Sequence, residues 1–292
     1  MNNKIYPCFW FDGQAKAAAE LYGSIFKDSK ITMDSPMVVN FELNGQKFMG
    51  LNGGPQFKPN ASISFFIRCK TAEEADGFWE KLSDSGSTMM PIGKYPWSER
   101  YGWIQDRFGI SWQINVDNLP GEQQIVPSLL FTEGVHGKGN AAIDFYTNLF
   151  PNSSVNVKAH YEPSESTYEP SESTYATTDM LKYSNFMLDG QFFTIMDSGV
   201  PHQFAFNEGI SFVVDCDGQE EVDYYWDKMT ENGEESRCSW LKDPYGVSWQ
   251  IVPKQLGQLM GDPDREKAER VMQAMLQMKK IIIADLQKAY DG

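Results

Sequence analysis

The chain has 292 residues, 41% of them hydrophobic, with 8 Trp, 13 Tyr and 19 Phe, so it has ample material for packed cores and wholesale disorder is excluded. Its 25 basic and 40 acidic residues give a formal net charge of -15, with no Lys/Arg cluster outside the C-terminal region, so nucleic acid and anionic membranes are not expected partners. No signal-peptide core, spanning apolar run or closely spaced cysteine pair is present, and the expected setting is cytoplasmic with reduced thiols.

In chain order, IYPCFWF reads as a strand, and GQAKAAAELYGSIF has Ala18, Leu21, Tyr22 and Ile25 at helical spacing. KITM, MVVNFELNG and QKFMGLN follow as strands, with Asn44-Gly45 as a two-residue hairpin turn. SISFFIRC is another strand, and TAEEADGFWEKLSDSG is a helix with Thr71 as N-cap and Glu74 completing a capping box. Three more strands end at SWQINV, so the order βαβββ occurs twice before residue 120.

The whole pattern then repeats. AAAELYGSIF is echoed by NAAIDFYTNLF with Tyr146 at an offset of 124 from Tyr22, and ISFFIRCKTAEEADGFWEKLSDSG is echoed by ISFVVDCDGQEEVDYYWDKMTENG. GWIQDRFGISWQI (Gly102 to Ile114) is echoed by SWLKDPYGVSWQI (Ser239 to Ile251), at an offset of 137. The fold class expected is α+β, with homologous domains at residues 1–120 and 121–256 and a C-terminal helical extension at 257–292. That extension carries Ala268, Val271, Met272, Met275 and Met278 at helical spacing, a stripe expected to pack across a domain or against a second chain, and a homodimer of the whole stays open.

If DRFG is a four-residue connection, Trp103 opposes Trp112, and both share an apolar face with Ile110 and Ile114. Ser111, Gln113, Ile104 and Gly102 then line the other face, and a bulge would reverse this assignment. Other candidate binding residues are Cys8, and Trp97, Glu99, Arg100 and Tyr101 before the hairpin. Arg237, Cys238, Ser248 and Gln250 are candidates in the second copy. YEPSESTYEPSESTY duplicates seven residues, giving an acidic loop that reads as a solvated insertion or a lid.

The stretches PCFWFDGQAKAAAELYGSIF, FELNGQKFMGLNGGPQF, WSERYGWIQDRFGISWQI and RVMQAMLQMKKI resemble the PhnB-like branch of the vicinal oxygen chelate superfamily, over nearly the whole chain. That superfamily includes glyoxalases, extradiol dioxygenases and bleomycin-binding proteins, and members of the branch often carry the name demethylubiquinone methyltransferase. The resemblance implies tandem glyoxalase-like domains, each of two βαβββ modules curled around a cup. It also implies a metal test, because metal-using members place His on a first or fifth strand and Glu on a last strand. Here Gln113 and Gln250 stand at the last-strand positions, the first copy has no histidine, and His136, His160 and His202 fall in loops or at strand ends of the second. An amide is a much weaker ligand than a carboxylate for a divalent cation, so no cofactor and no catalytic metal is expected.

The glycine-rich LNGGP leads into another strand and not into a helix, so the methyltransferase name lacks a nucleotide-type site. The reading that follows is a metal-free protein that binds a small molecule, a metabolite or an antibiotic. The alternative is a lyase, isomerase or dioxygenase-type enzyme with an atypical metal site.

Overall fold

The computed structural model describes residues 4–117, 121, 123–162 and 176–292. The first copy forms β1 (Ile5–Phe11), α1 (Ala15–Ile25), β2 (Lys30–Asp34), β3 (Val38–Leu43) and β4 (Gln46–Asn52), then β5 (Ile63–Cys69), α2 (Ala72–Leu82), β6 (Ser87–Tyr95), β7 (Ser98–Gln105) and β8 (Ser111–Val116). The second forms β9 (Ile125–Phe131), α3 (Gly139–Leu149), β10 (Ser154–His160), β11 (Leu181–Leu188) and β12 (Gln191–Asp197), then β13 (Ile210–Cys216), α4 (Gln219–Thr230), β14 (Glu234–Glu235), β15 (Trp240–Lys242) and β16 (Ser248–Pro253). The duplicated loop of Tyr161 to Tyr175, and with it the lid reading, lies largely outside the described residues.

Local signals do what their chemistry requires. Asn44 and Gly45 both have positive φ, 49° and 73°, which is the turn that matches the twist of paired strands. Thr71 Oγ1 accepts the Glu74 N–H at 3.2 Å, and the Glu74 carboxylate reaches back to the N–H of Lys70, one residue before the cap.

Two eight-stranded sheets result, ordered β10-β11-β12-β9-β5-β8-β7-β6 and β14-β15-β16-β13-β1-β4-β3-β2. Each sheet takes one βαβββ module from each copy, a pairing the repeat alone does not reveal. The junction in the first sheet is the antiparallel pair β5 and β9, with Ser64 opposite Ser128. The described chain divides into two compact units. One is Phe9–Ile210, and the other is Ser211–Gly292 with the start of β1 up to Cys8.

In the larger unit, one face of the first sheet packs on helices. Phe65 and Trp112 lie 5.6 Å apart, and Trp112 meets Tyr22 of α1 at 5.3 Å. In the smaller unit, the C-terminal extension is three helices: α5 (Lys254–Met260), α6 (Arg265–Gln277) and α7 (Ile283–Asp291). Val271, with Ala268 on the same helix α6, is buried, and Leu256, Ile281 and Leu286 cluster around Val271 with Met275 and Met278 beside them. Part of the Met-rich stripe therefore closes a core within its own unit. No described helix is long and apolar enough to cross a membrane.

Candidate functional site

The repeated hairpin is organised by its aspartate. The Asp106 N–H donates to Ile110 O at 2.9 Å and the Gly109 N–H to Asp106 O at 2.9 Å, with Gly109 at φ 87°, so the loop is three residues long. Trp103 therefore lies opposite Gln113 and Ile104 opposite Trp112, one residue away from a four-residue count. This corrects the predicted faces: Trp103 belongs with Ser111 and Gln113, while Ile104 and Gly102 join Trp112 and Ile114 on the helix side. A Cβ on Gly102 would sit 2.6 Å from the Trp79 ring of α2, so only glycine fits there.

Asp106 is 4% exposed and spends both oxygens on neighbours. Oδ1 accepts the N–H groups of Phe108 and Ile110 at 2.8 and 3.0 Å, and Oδ2 accepts the Tyr22 hydroxyl at 2.7 Å and the Trp112 indole N–H at 2.8 Å. Burial raises this carboxyl above its ordinary range in spite of those four donors. Asp243 repeats the arrangement, accepting from Tyr245, Val247 and Trp249. Sequence reasoning treated both aspartates as loop, and their matching place in the two hairpins was the signal that could have found them.

The helix-free face of the first sheet is where the candidate residues gather. The register aligns Asn185, Thr194, Ser128, Ser64, Ser111 and Gln105 in one continuous row across six strands. One pleat further along, Val126, Phe66, Gln113 and Trp103 form a second, mainly apolar row. The face is thus a band of hydroxyls and amides beside a band of rings.

Gln113 is 2% exposed and fixed at both ends, with Oε1 accepting the Tyr101 hydroxyl at 2.7 Å and Nε2 donating to Ser64 Oγ at 2.8 Å. The Trp103 indole N–H donates to Ser111 Oγ at 2.7 Å, which sets the ring's angle over the face. Ser128 Oγ is fully buried and has no partner among the described residues, and the same holds for Asn115 Oδ1 and, on β16, for Ser248 Oγ.

In the smaller unit the matching strands place Gln250 and Ser211 together, with Gln250 Nε2 donating to Ser211 Oγ at 3.0 Å. Ser248 is buried beside them on β16. Cys8 on β1 lies within hydrogen-bonding reach of both Gln250 and Ser211, and burial pushes its thiol up to about 12. Strand position equates Cys8 with Ser128, Ser211 with Ser64, and Gln250 with Gln113. The parallel between IYPCFWF and IVPSLLF would have revealed Ser128 from the sequence.

The remaining candidates lie farther out. Trp97 is 60% exposed and stacks on Tyr95 at 5.1 Å, and both rings meet Tyr101 edge-on. Glu99 is exposed, and Arg100 turns to the helix side, where it pairs with Asp76 at 2.6 Å. Arg237 is exposed on a loop. Cys238 has φ 56°, and its N–H donates to Met278 O at 2.8 Å. Cys8, Cys69 and Cys216 are buried with thiols pushed up to about 12, whereas Cys238 is half-buried. Iodoacetamide at about pH 8 should therefore add one label to the native protein, at Cys238, as read by intact mass and peptide mapping. Labelling of Cys8 in the folded chain would contradict this burial.

The donors present fit a divalent metal poorly. The floor positions hold amides and hydroxyls already bonded to one another, and no three His, Cys, Asp or Glu side chains gather among the described residues. The histidines are engaged elsewhere, His136 with Ser198 O at 2.9 Å, His160 with Asn140, and His202 stacked on Phe204. The glycine-rich LNGGP stretch is filled by Trp10, whose indole N–H donates to Gly54 O at 2.7 Å and whose ring would lie 2.1 Å from a Cβ on Gly53.

The comparisons with known proteins agree with this architecture. The family model for 3-demethylubiquinone-9 3-methyltransferase matches twice, over residues 3–115 and 123–252. The chain belongs to this family. A solved relative is a putative 3-demethylubiquinone-9 3-methyltransferase, PhnB protein, from Bacillus cereus, at 32% identity, covering 38% of this chain and 96% of that one with a TM-score of 0.36. Glyoxalase I from Zea mays is similar at 13% identity over 86% of this chain and 92% of that one, with a TM-score of 0.54, and shares the fold. No curated protein was found to match. The 3-demethylubiquinone-9 3-methyltransferase family thus contributes both copies of this tandem chain, on a glyoxalase-like fold.

Proposed function

We propose that the protein binds a small organic molecule without a catalytic metal, using the helix-free faces of its sheets as cups. The carrying observation is Gln113, a buried amide at a cup floor whose two ends are committed to Tyr101 and Ser64. A side chain held this way presents neutral hydrogen-bonding groups and offers a divalent cation neither carboxylate nor imidazole. Methyl transfer is not part of this reading, because the glycine-rich turn that would have to hold the ribose of an adenosyl donor is packed under Trp10. An enzyme of the lyase, isomerase or dioxygenase type would need ligands that these floors lack.

Metal analysis of protein purified without chelators, with equilibrium dialysis against zinc, nickel, manganese and ferrous iron, tests the reading. Substoichiometric metal is expected under all four conditions. One tightly held equivalent per chain, lost on replacing Gln113 or Gln250 by Ala, would overturn it.

A further inference from the structure

The two sheets of this chain are unequally equipped, and the difference points to one kind of ligand in one place. In the larger unit the hairpin of β6 and β7 has strands of nine and eight residues and carries the Tyr95, Trp97 and Tyr101 cluster outward from Gln113. In the smaller unit the corresponding β14 and β15 have two and three residues. The place of Tyr101 is taken there by Cys238, in a loop tied to Met278, and Gln250 has no tyrosine of its own. Along the strands, Lys242 stands opposite Ser248 and Glu234 opposite Lys242, where the first sheet has the neutral Gln105 and Ser87.

We infer that the face of the first sheet is the single ligand site of the chain, and that it takes a flat, uncharged aromatic molecule with a hydroxyl or carbonyl on one edge. This inference rests on the metal-free binding reading above. The apolar band of Phe66, Val126 and Trp103 matches a planar body, and the adjacent hydroxyl band matches a polar edge. Trp103 is half-buried, its ring held by Ser111 and not by other rings. A second, independent observation places the polar contact. Ser128 Oγ lies in the centre of the hydroxyl band, fully buried and unpartnered, which is a costly arrangement in the empty protein and a satisfied one when an edge hydroxyl or carbonyl meets it; Ser248 Oγ of the other sheet is also unpartnered, but there the charged Lys242 stands opposite it. The ligand is neutral because the row that meets its edge is neutral. An ionised group there would be desolvated with no opposite charge in the row.

The probe is 2-naphthol, compared with decahydro-2-naphthol, which has the same hydroxyl on a saturated, non-planar body. Binding to the full chain is read by tryptophan quenching and by calorimetry, in the presence of chelator. One equivalent of 2-naphthol per chain is expected, with the saturated analogue at least about threefold to tenfold weaker, the range that ring-on-ring contact contributes. Ser128→Ala removes no hydrogen bond of the empty protein, so it should fold as the parent does and bind about threefold to tenfold more weakly. Trp103→Leu should weaken 2-naphthol more than the saturated analogue. Two equivalents per chain, equal binding of the two probes, or no saturable binding would overturn the inference. If 2-naphthol bound only after metal was restored, the metal-free reading itself would fail, which is a different outcome from failure of the ligand class.

Discussion

Replacing Asp106 by Ala is expected to cost about 3–5 kcal/mol of stability, among the largest effects of any single truncation in this chain. The change leaves the Tyr22 hydroxyl, the Trp112 indole and two backbone N–H groups without their acceptor inside a buried turn. Asp106→Asn should cost less, since an amide oxygen still serves two of the four donors, although its NH2 must then face an indole N–H that can only donate. The pH dependence has a defined sign. Desolvation raises the carboxyl in the fold, so the stability it lends is full below its unfolded-state value and is lost as pH rises through the folded one. The gap between parent and Asp106→Ala should accordingly be widest in acid and narrow toward neutral pH. Urea unfolding followed by circular dichroism at two pH values checks both points, and a loss under about 1 kcal/mol would show that the hairpin does not depend on this carboxylate.

Gln113→Glu is expected to cost about 2 kcal/mol near neutral pH and to recover most of it in mild acid. The new carboxyl keeps the Tyr101 and Ser64 hydroxyls as partners but sits at a site only 2% exposed, where burial favours its protonated form. A carboxyl raised in this way contributes stability below its unfolded-state value and loses it as pH climbs, so the deficit relative to the parent should grow from acid to neutral. The same variant should still bind no metal, because the side chains bonded to this position, Ser64 and Tyr101, supply neither imidazole nor thiolate. Unfolding curves for parent and variant that stay parallel across this pH range would show that the position is more hydrated than its surroundings indicate.

Much of the architecture was legible in the sequence because each signal was local and appeared twice. The Asn44-Gly45 turn, the Thr71 cap and the alternation in β5 and β8 all specify their elements without outside help. The pairing of modules across copies was not legible, because β5 carries the same outward pattern whichever copy supplies its neighbour. The hairpin faces were misread for a chemical reason: Asp106 looks like a turn residue, yet its side chain ties Phe108 and Ile110 into the loop and moves the register by one. Once that register is known, Trp103 moves from the helix side to the helix-free face of the sheet and Arg100 to the helix side. The glutamines were found because their positions stood out, whereas Ser128 is one serine among many and became visible only when the sheet aligned it with Ser64.

The strand at the start of the chain has a consequence for how the protein is made. In the smaller unit, Lys4 O accepts the Asp215 N–H at 2.9 Å, and the Tyr6 hydroxyl donates to Asp215 Oδ1 across 209 positions of sequence. At ordinary elongation speeds of about 5–20 residues per second, IYPCFWF leaves the ribosome roughly 10–40 s before the strand it must join. During that interval an apolar segment with exposed backbone groups has half a sheet to hold and no partner for its other edge. Residues 211–253 therefore complete their fold around a piece that was synthesised earlier and kept waiting, and a chain halted near residue 200 would present that edge to any other strand it meets.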